Sequence, residues 1–192
     1  MILFFGMTTG VVGSVQATPV SAVSATGTGS FNNSPELLID GVFAPEFSQW
    51  SADTSVWWSG MSPAFSIDLG GIVLLEDLLV QVDNNDFYRF DYSEDNNTWS
   101  SLFEIQASDG EVSWGMDTMS TDSQNSEYVA SLNFVPVDVR YLRVVAIGGD
   151  NLYSVSEIQA FAAPVPEPST ILLFGLGLMT LMGFNYRRQK QS

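Results

Sequence analysis

The residues of this chain that could do chemistry are nearly all carboxylates and aromatics. There are 22 Asp and Glu against six Lys and Arg, with no His and no Cys. That composition excludes Ser-His-Asp and Cys-His nucleophile systems, and with them the nitrogen and sulfur ligand sets of zinc. Carboxylate catalysis, an oxygen-lined metal site, or binding by aromatic faces beside polar groups remain. One stretch gathers polar groups and rings together: Asp83-Asn84-Asn85-Asp86 followed by Phe87-Tyr88. Acceptors and amides next to aromatic faces are the general design of a small-molecule site, sugars included. Trp57, Trp58, Trp114 and Tyr153 are further aromatics expected in or near loops. Arg89 could meet an acidic sugar or pair with a neighbouring carboxylate. The candidate ligand set is therefore Trp57, Asn84, Asn85, Asp86, Tyr88, Arg89, Trp114 and Tyr153. Glycoside hydrolysis needs two acids at a set separation across a cleft, and among so many acids no pair stands out. No catalytic residue is assigned, and the chain is read as a non-enzyme.

Charge narrows the partners. All but one of the acids precede the C-terminal tail, where only Arg89, Arg140 and Arg143 oppose them. Such a surface repels phosphate backbones, so nucleic acid is excluded. It suits solubility, a hard cation or a neutral ligand. Without disulfides, the fold must rest on its core.

The elements that position these residues read as strands. Phe65, Ile67 and Leu69 alternate with Ser66 and Asp68 and are expected to stop at Gly70-Gly71. Leu78, Val80 and Val82 alternate likewise and end in the Asp83–Asp86 turn. Tyr88, Phe90 and Tyr92 share one face before the turn residues Ser93 to Asn97. Later runs span 128–134, 139–147 and 155–161. Eight or so short strands in about 140 residues imply one all-β sandwich or jelly roll, with no internal repeat.

Six pieces in order resemble the discoidin domain, also called the coagulation factor 5/8 C-type domain, a galactose-binding-like jelly roll. They are Leu38-Ile39-Asp40-Gly41, Ser48-Gln49-Trp50 and Phe65-Ser66-Ile67-Asp68-Leu69-Gly70. Then come Tyr88-Arg89-Phe90-Asp91-Tyr92-Ser93 with Asn97-Thr98-Trp99, Val139 to Val144, and Ser156 to Phe161. The resemblance implies a discoidin-like β-sandwich over residues 23–163, with Trp50 and Trp99 helping to fill its core. It implies a carbohydrate-binding role and, in many such members, one structural Ca²⁺. Carried over by position, the Ca²⁺ ligands are Asp40, Ser48 and Glu157. The loop from Val42 to Phe47 is longer than the family's usual run and lacks an acid directly after Gly41, so Glu46 is taken as the substitute.

The two ends read as addresses. Residues 1–22 form an apolar segment leading to Val15-Gln16-Ala17 and Val20-Ser21-Ala22, both shaped like signal-peptide cleavage sites. No Lys or Arg opens it: the α-amino group is its only positive charge, or the true start lies upstream. At the other end, Pro166-Glu167-Pro168 and Ser169-Thr170 precede an apolar helix over about 170–186, then Arg187, Arg188 and Lys190. About 14 to 16 apolar residues span only roughly 21 to 24 Å, short of a ~30 Å hydrocarbon core. Basic residues at the end hold it in the inner membrane with the body outside. Motif, helix and basic tail together resemble the PEP-CTERM sorting signal, here residues 164–192. That resemblance implies an exosortase-type membrane protease as partner and a Gram-negative host that makes exopolysaccharide. It also implies a single-pass precursor with its body in the periplasm, later at the cell surface or in the extracellular matrix. The expected function is thus an exported, non-catalytic, carbohydrate-binding-like protein associated with exopolysaccharide or biofilm matrix. A structural or adhesive matrix protein is the alternative, and a carboxylate-dependent glycoside hydrolase the remote one.

Overall fold

Alternation of apolar and polar residues along several short runs turns one face of those strands inward, and the described residues form nine strands. The computed structural model describes residues 17–164. The strands are β1 (Thr18–Val20), β2 (Ser24–Thr28), β3 (Val56–Ser59), β4 (Ala64–Asp83), β5 (Phe87–Ser93), β6 (Ser100–Ile105), β7 (Met116–Ser120), β8 (Val137–Gly148) and β9 (Leu152–Ala162). Short 3-10 turns occur at Pro35–Ile39 and Ala130–Leu132. Residues 1–16 of the predicted signal segment 1–22, the motif Pro166-Glu167-Pro168, the apolar span 170–186 and the basic residues Arg187, Arg188 and Lys190 lie outside the described residues. Among the described residues no helix is long and apolar enough to cross a membrane.

The 20-residue strand β4 ties the molecule together. Its first part, Ala64–Asp68, is hydrogen bonded between β2 and β8. Its last part pairs with β9 on one side and β7 on the other. The register against β8 shifts between Asp68 and Val73, where Gly70 has φ 80°. Gly70-Gly71, expected to end a strand, instead makes the bulge by which one strand serves both layers of the sandwich. The run over 128–134 also departs from expectation. It forms one bridge, from Ser120 at the end of β7 to Tyr128, and then a 3-10 turn of which only Leu132 is buried.

One core joins the layers. Phe65, Ile67 and Leu69 meet Leu78, Val80 and Val82 from the other half of β4, with Phe90, Leu142 and Val144. Trp58, expected in a loop, lies on β3 and is fully buried. Its ring sits 4.8 Å from Phe65, 5.8 Å from Tyr153 and 6.4 Å from Tyr88, centroid to centroid. Truncating a buried aromatic of this kind costs about 3–5 kcal/mol. Of the two tryptophans expected in the core, Trp99 is half-buried beneath Arg143, whose guanidinium lies 4.3 Å from the ring centroid. Trp50 is half-buried as well, and stands at the end of the sandwich described next.

Candidate functional site

Four chain segments converge at one end of the sandwich: residues 47–50, the β4–β5 turn, the segment before β7, and the β8–β9 turn. Backbone hydrogen bonds join the first three. Phe47 N–H donates to Met116 O at 3.1 Å, Met116 N–H to Ser48 O at 3.1 Å, and Asn84 N–H to Gly115 O at 2.9 Å. Gly115, at φ 76°, sits so close that a Cβ there would lie 2.7 Å from Ser48 O. Only glycine lets these two loops touch.

The Asp83–Asp86 turn builds the site more than it lines it. Asn84 is fully buried, and its Nδ2 is directed at the carbonyl oxygens of Asp109 and Val112 and at Asp117 Oδ2, at 2.6–2.7 Å. It holds the loop before β7. Asp86, also buried, accepts from the Asp150 backbone N–H at 2.9 Å, and a Cβ at Gly149 would collide with its carboxylate. Asn85 Nδ2 donates to Asp150 Oδ2 at 3.0 Å. Together, Asn85 and Asp86 fix the β8–β9 turn and set Asp150 beside the end of β4.

What these supports enclose is a depression of about 120 Å³ lined by Gln49, Trp50, Asp83, Asn85, Trp114, Gly115 and Asp150. Trp50 is braced edge-on by Trp57, centroids 5.1 Å apart. Trp114 is half exposed (50%) beside Phe47 (52%), their centroids 6.2 Å apart. Asp83 is 3% exposed. Burial first, then the nearby charge of Asp150, pushes its carboxyl up to about 6, while the Gly115 N–H acts in the opposite sense. Burial likewise raises Asp86 to about 7 and Asp117 to about 6.

The residues singled out in the sequence thus divide. Asn85 and Trp114 line the depression, Trp57 braces it, and Asn84 and Asp86 support it from below. Tyr88 and Tyr153 do not reach it, because both are buried in the aromatic cluster around Trp58. The Tyr88 hydroxyl bonds the backbone of Ser154 instead. Arg89 points elsewhere and pairs with Asp91 at 2.8 Å, leaving no part of it in the depression. Gln49, Trp50, Asp83 and Asp150 were not in the candidate set. The Gly148-Gly149-Asp150-Asn151 turn between two apolar runs was the visible signal for the last.

The carried-over Ca²⁺ ligands do not assemble as one set. Glu157 is buried and accepts from Gly41 N–H at 3.1 Å near Asp40, whose own Oδ1 accepts from Val42 N–H. Burial raises the Glu157 pKa. Glu46 turns instead to β7, where it accepts from the Thr118 hydroxyl at 2.6 Å and from its N–H at 3.2 Å. The Ser48 hydroxyl is buried without a partner. Between them, the loop is clamped by the Gln81 amide, which accepts from Ala44 N–H at 2.7 Å and donates to Ala44 O at 2.9 Å. Among the described residues no group of three or more acids is placed to hold a metal.

Comparison with known proteins bears on fold and destination. The F5/8 type C domain family model matches residues 19–158, and the PEP-CTERM protein-sorting motif matches residues 164–189. Among solved structures, the chain is similar to the CBM32 of AlyQ in complex with 4,5-unsaturated mannuronic acid. That match has 17% identity and a TM-score of 0.51, and covers 76% of this chain and 99% of that one. It is also similar to a Clostridium perfringens CBM32 in complex with GalNAc-beta-1,3-galactose, with 16% identity, TM-score 0.51, and 76% and 100% coverage. A third is the family 32 CBM of C. perfringens NanJ in complex with galactose, with 15% identity, TM-score 0.50, and 76% and 99% coverage. No curated protein matches the chain.

Proposed function

The chain belongs to the F5/8 type C domain family, and from that premise we propose that it is an exported, non-catalytic carbohydrate-binding protein whose site is the loop-end depression. One observation carries the reading: two tryptophans, Trp50 and Trp114, line one small depression together with the polar residues Gln49, Asp83, Asn85 and Asp150. A pyranose offers an apolar face to a ring and hydroxyls to amides and carboxylates, so both halves of the site have a use. The solved complexes with galactose, GalNAc-beta-1,3-galactose and mannuronic acid on the same fold support sugar as the class.

The PEP-CTERM motif supports export through an exosortase-type protease to the cell surface of a Gram-negative bacterium. In that setting the producer's own exopolysaccharide or biofilm matrix is the natural ligand. The precursor would be held across the inner membrane with its body in the periplasm. Affinity electrophoresis of the full chain through gels containing the producer's exopolysaccharide tests this, and retardation relative to a polysaccharide-free gel is the expected result. Unchanged migration in every polysaccharide would refute it.

Two carboxylates at one depression are also what a glycosidase needs. The exposed aromatic pair beside a polar floor and the small volume favour binding over turnover. Release of reducing ends from the bound polysaccharide, lost on Asp83→Asn, would replace the binding reading with the hydrolytic one.

A further inference from the structure

The depression has an unbalanced charge. Asp83 and Asp150 both line it, and the charge of Asp150 raises the cost of ionising Asp83. Among the described residues no Lys or Arg lines it, and the chain has no His. Every Arg among the described residues is engaged elsewhere: Arg89 and Arg143 both with Asp91, and Arg140 with Asp68. Each lies on a strand and none is in the loop cluster. Among the described residues no side chain donates a hydrogen bond to Asp83, although it is almost wholly buried and lines the depression. Asp150, by contrast, is exposed and is aligned by Asn85 Nδ2 and by the Leu152 N–H it accepts.

Two carboxylates without a counter-charge favour a cation and disfavour a carboxylated or sulfated sugar by direct repulsion. The walls say what kind of cation. Trp50 and Trp114 both line the depression, and an indole attracts an organic ammonium and packs on the pyranose that carries it, whereas a bare metal ion gains little from indole. We propose that the ligand of this site is an amino sugar with a free, protonated amine, as in a hexosamine polymer from which acetyl groups have been removed. This rests on the carbohydrate-binding reading of the same depression. In the bound state the ammonium lies between Asp83 and Asp150, and Asn85 and Gln49 take neighbouring hydroxyls. N-acetylation removes the charge and adds bulk, so it weakens binding.

The test is calorimetric titration of the full chain, in a polyoxyethylene detergent that carries no sugar, with a glucosamine trisaccharide and its fully N-acetylated counterpart. The free amine is expected to bind at least about tenfold more tightly, equivalent to one modest cation–π or ion-pair contribution. The preference should shrink with added salt. Asp150→Asn, which keeps an acceptor oxygen for the Leu152 N–H within the turn, should cut affinity for the amine by a similar factor. Equal or tighter binding of the acetylated sugar would overturn the proposal and leave the carbohydrate reading standing. Binding of Ca²⁺ alone in competition with the amine would reassign the site to a metal ion. Binding of no sugar at all would remove both.

Discussion

Asp86 sits where the turn after β4 meets the β8–β9 turn, and its burial has a measurable consequence. Its folded-state carboxyl is raised to about 7, with Asp83 and Asp117 at about 6. All three lie above the ordinary value near 4, so the folded state holds protons that the unfolded chain has released. Their contribution to stability is full below about pH 4 and is lost as pH rises through 6 and 7. The melting temperature is therefore expected to fall between pH 5 and pH 8, by on the order of 5 °C. In Asp86→Asn, which keeps an acceptor for the Asp150 N–H, the fall should be smaller. A melting temperature that rises over the same interval would contradict the assignment. At this scale the site was partly legible in the sequence. A run of Asp-Asn-Asn-Asp beside rings announced a site, but not that Asn84 and Asp86 would be its buried supports. Trp50 read as core because spacing within a loop does not say which way a ring turns. Asp150 and Gly115 reach the depression from distant segments, and no local pattern reports that.

At the scale of elements, the loop after Asp40 is held by the chain itself. Gln81, on β4, clamps both the N–H and the carbonyl of Ala44, and the Ser156 hydroxyl also accepts from Ala44 N–H at 3.3 Å. Hydrogen bonds to these two side chains thus fasten this loop. The full chain should melt within about 1 °C of the same temperature in EGTA and in saturating Ca²⁺, since only an ion that binds the folded state shifts the midpoint. A rise of several degrees with Ca²⁺ would restore the metal site carried over from the resemblance. The first strand makes a second case. Thr18–Val20, placed within the signal segment by the 1–22 division, pairs residue for residue with Ala160–Ala162 of β9. Cleavage after Ala17 keeps that pairing, and cleavage after Ala22 strips an edge from the sheet. N-terminal sequencing of the exported protein should begin at Thr18, and a start at Val23 would show that β1 is dispensable. Strands with one buried face, such as 65–69 and 78–82, were legible because alternation is what half-burial looks like. β7 was not, because all five of its residues are buried and nothing alternates. Nor was β2, whose Ser-Ala-Thr-Gly-Thr has almost no apolar side chain to show.

The whole molecule is acidic, with a formal net charge of −16, and its few bases in the described residues are spent on internal ion pairs. An acidic surface keeps such a protein apart from other anionic polymers, and under the proposed function a glycan would meet it at one end of the sandwich. Its five tryptophans provide the direct test, because they stand in separable places. Trp50 and Trp114 are at the depression, Trp57 behind it, Trp58 in the core and Trp99 under Arg143. Heteronuclear NMR of the indole N–H signals during titration with a bound glycan reads all five at once. The signals of Trp50 and Trp114 are expected to shift while those of Trp58 and Trp99 stay in place. Shifts confined to Trp99, or none at saturation, would contradict a carbohydrate site at the loop end.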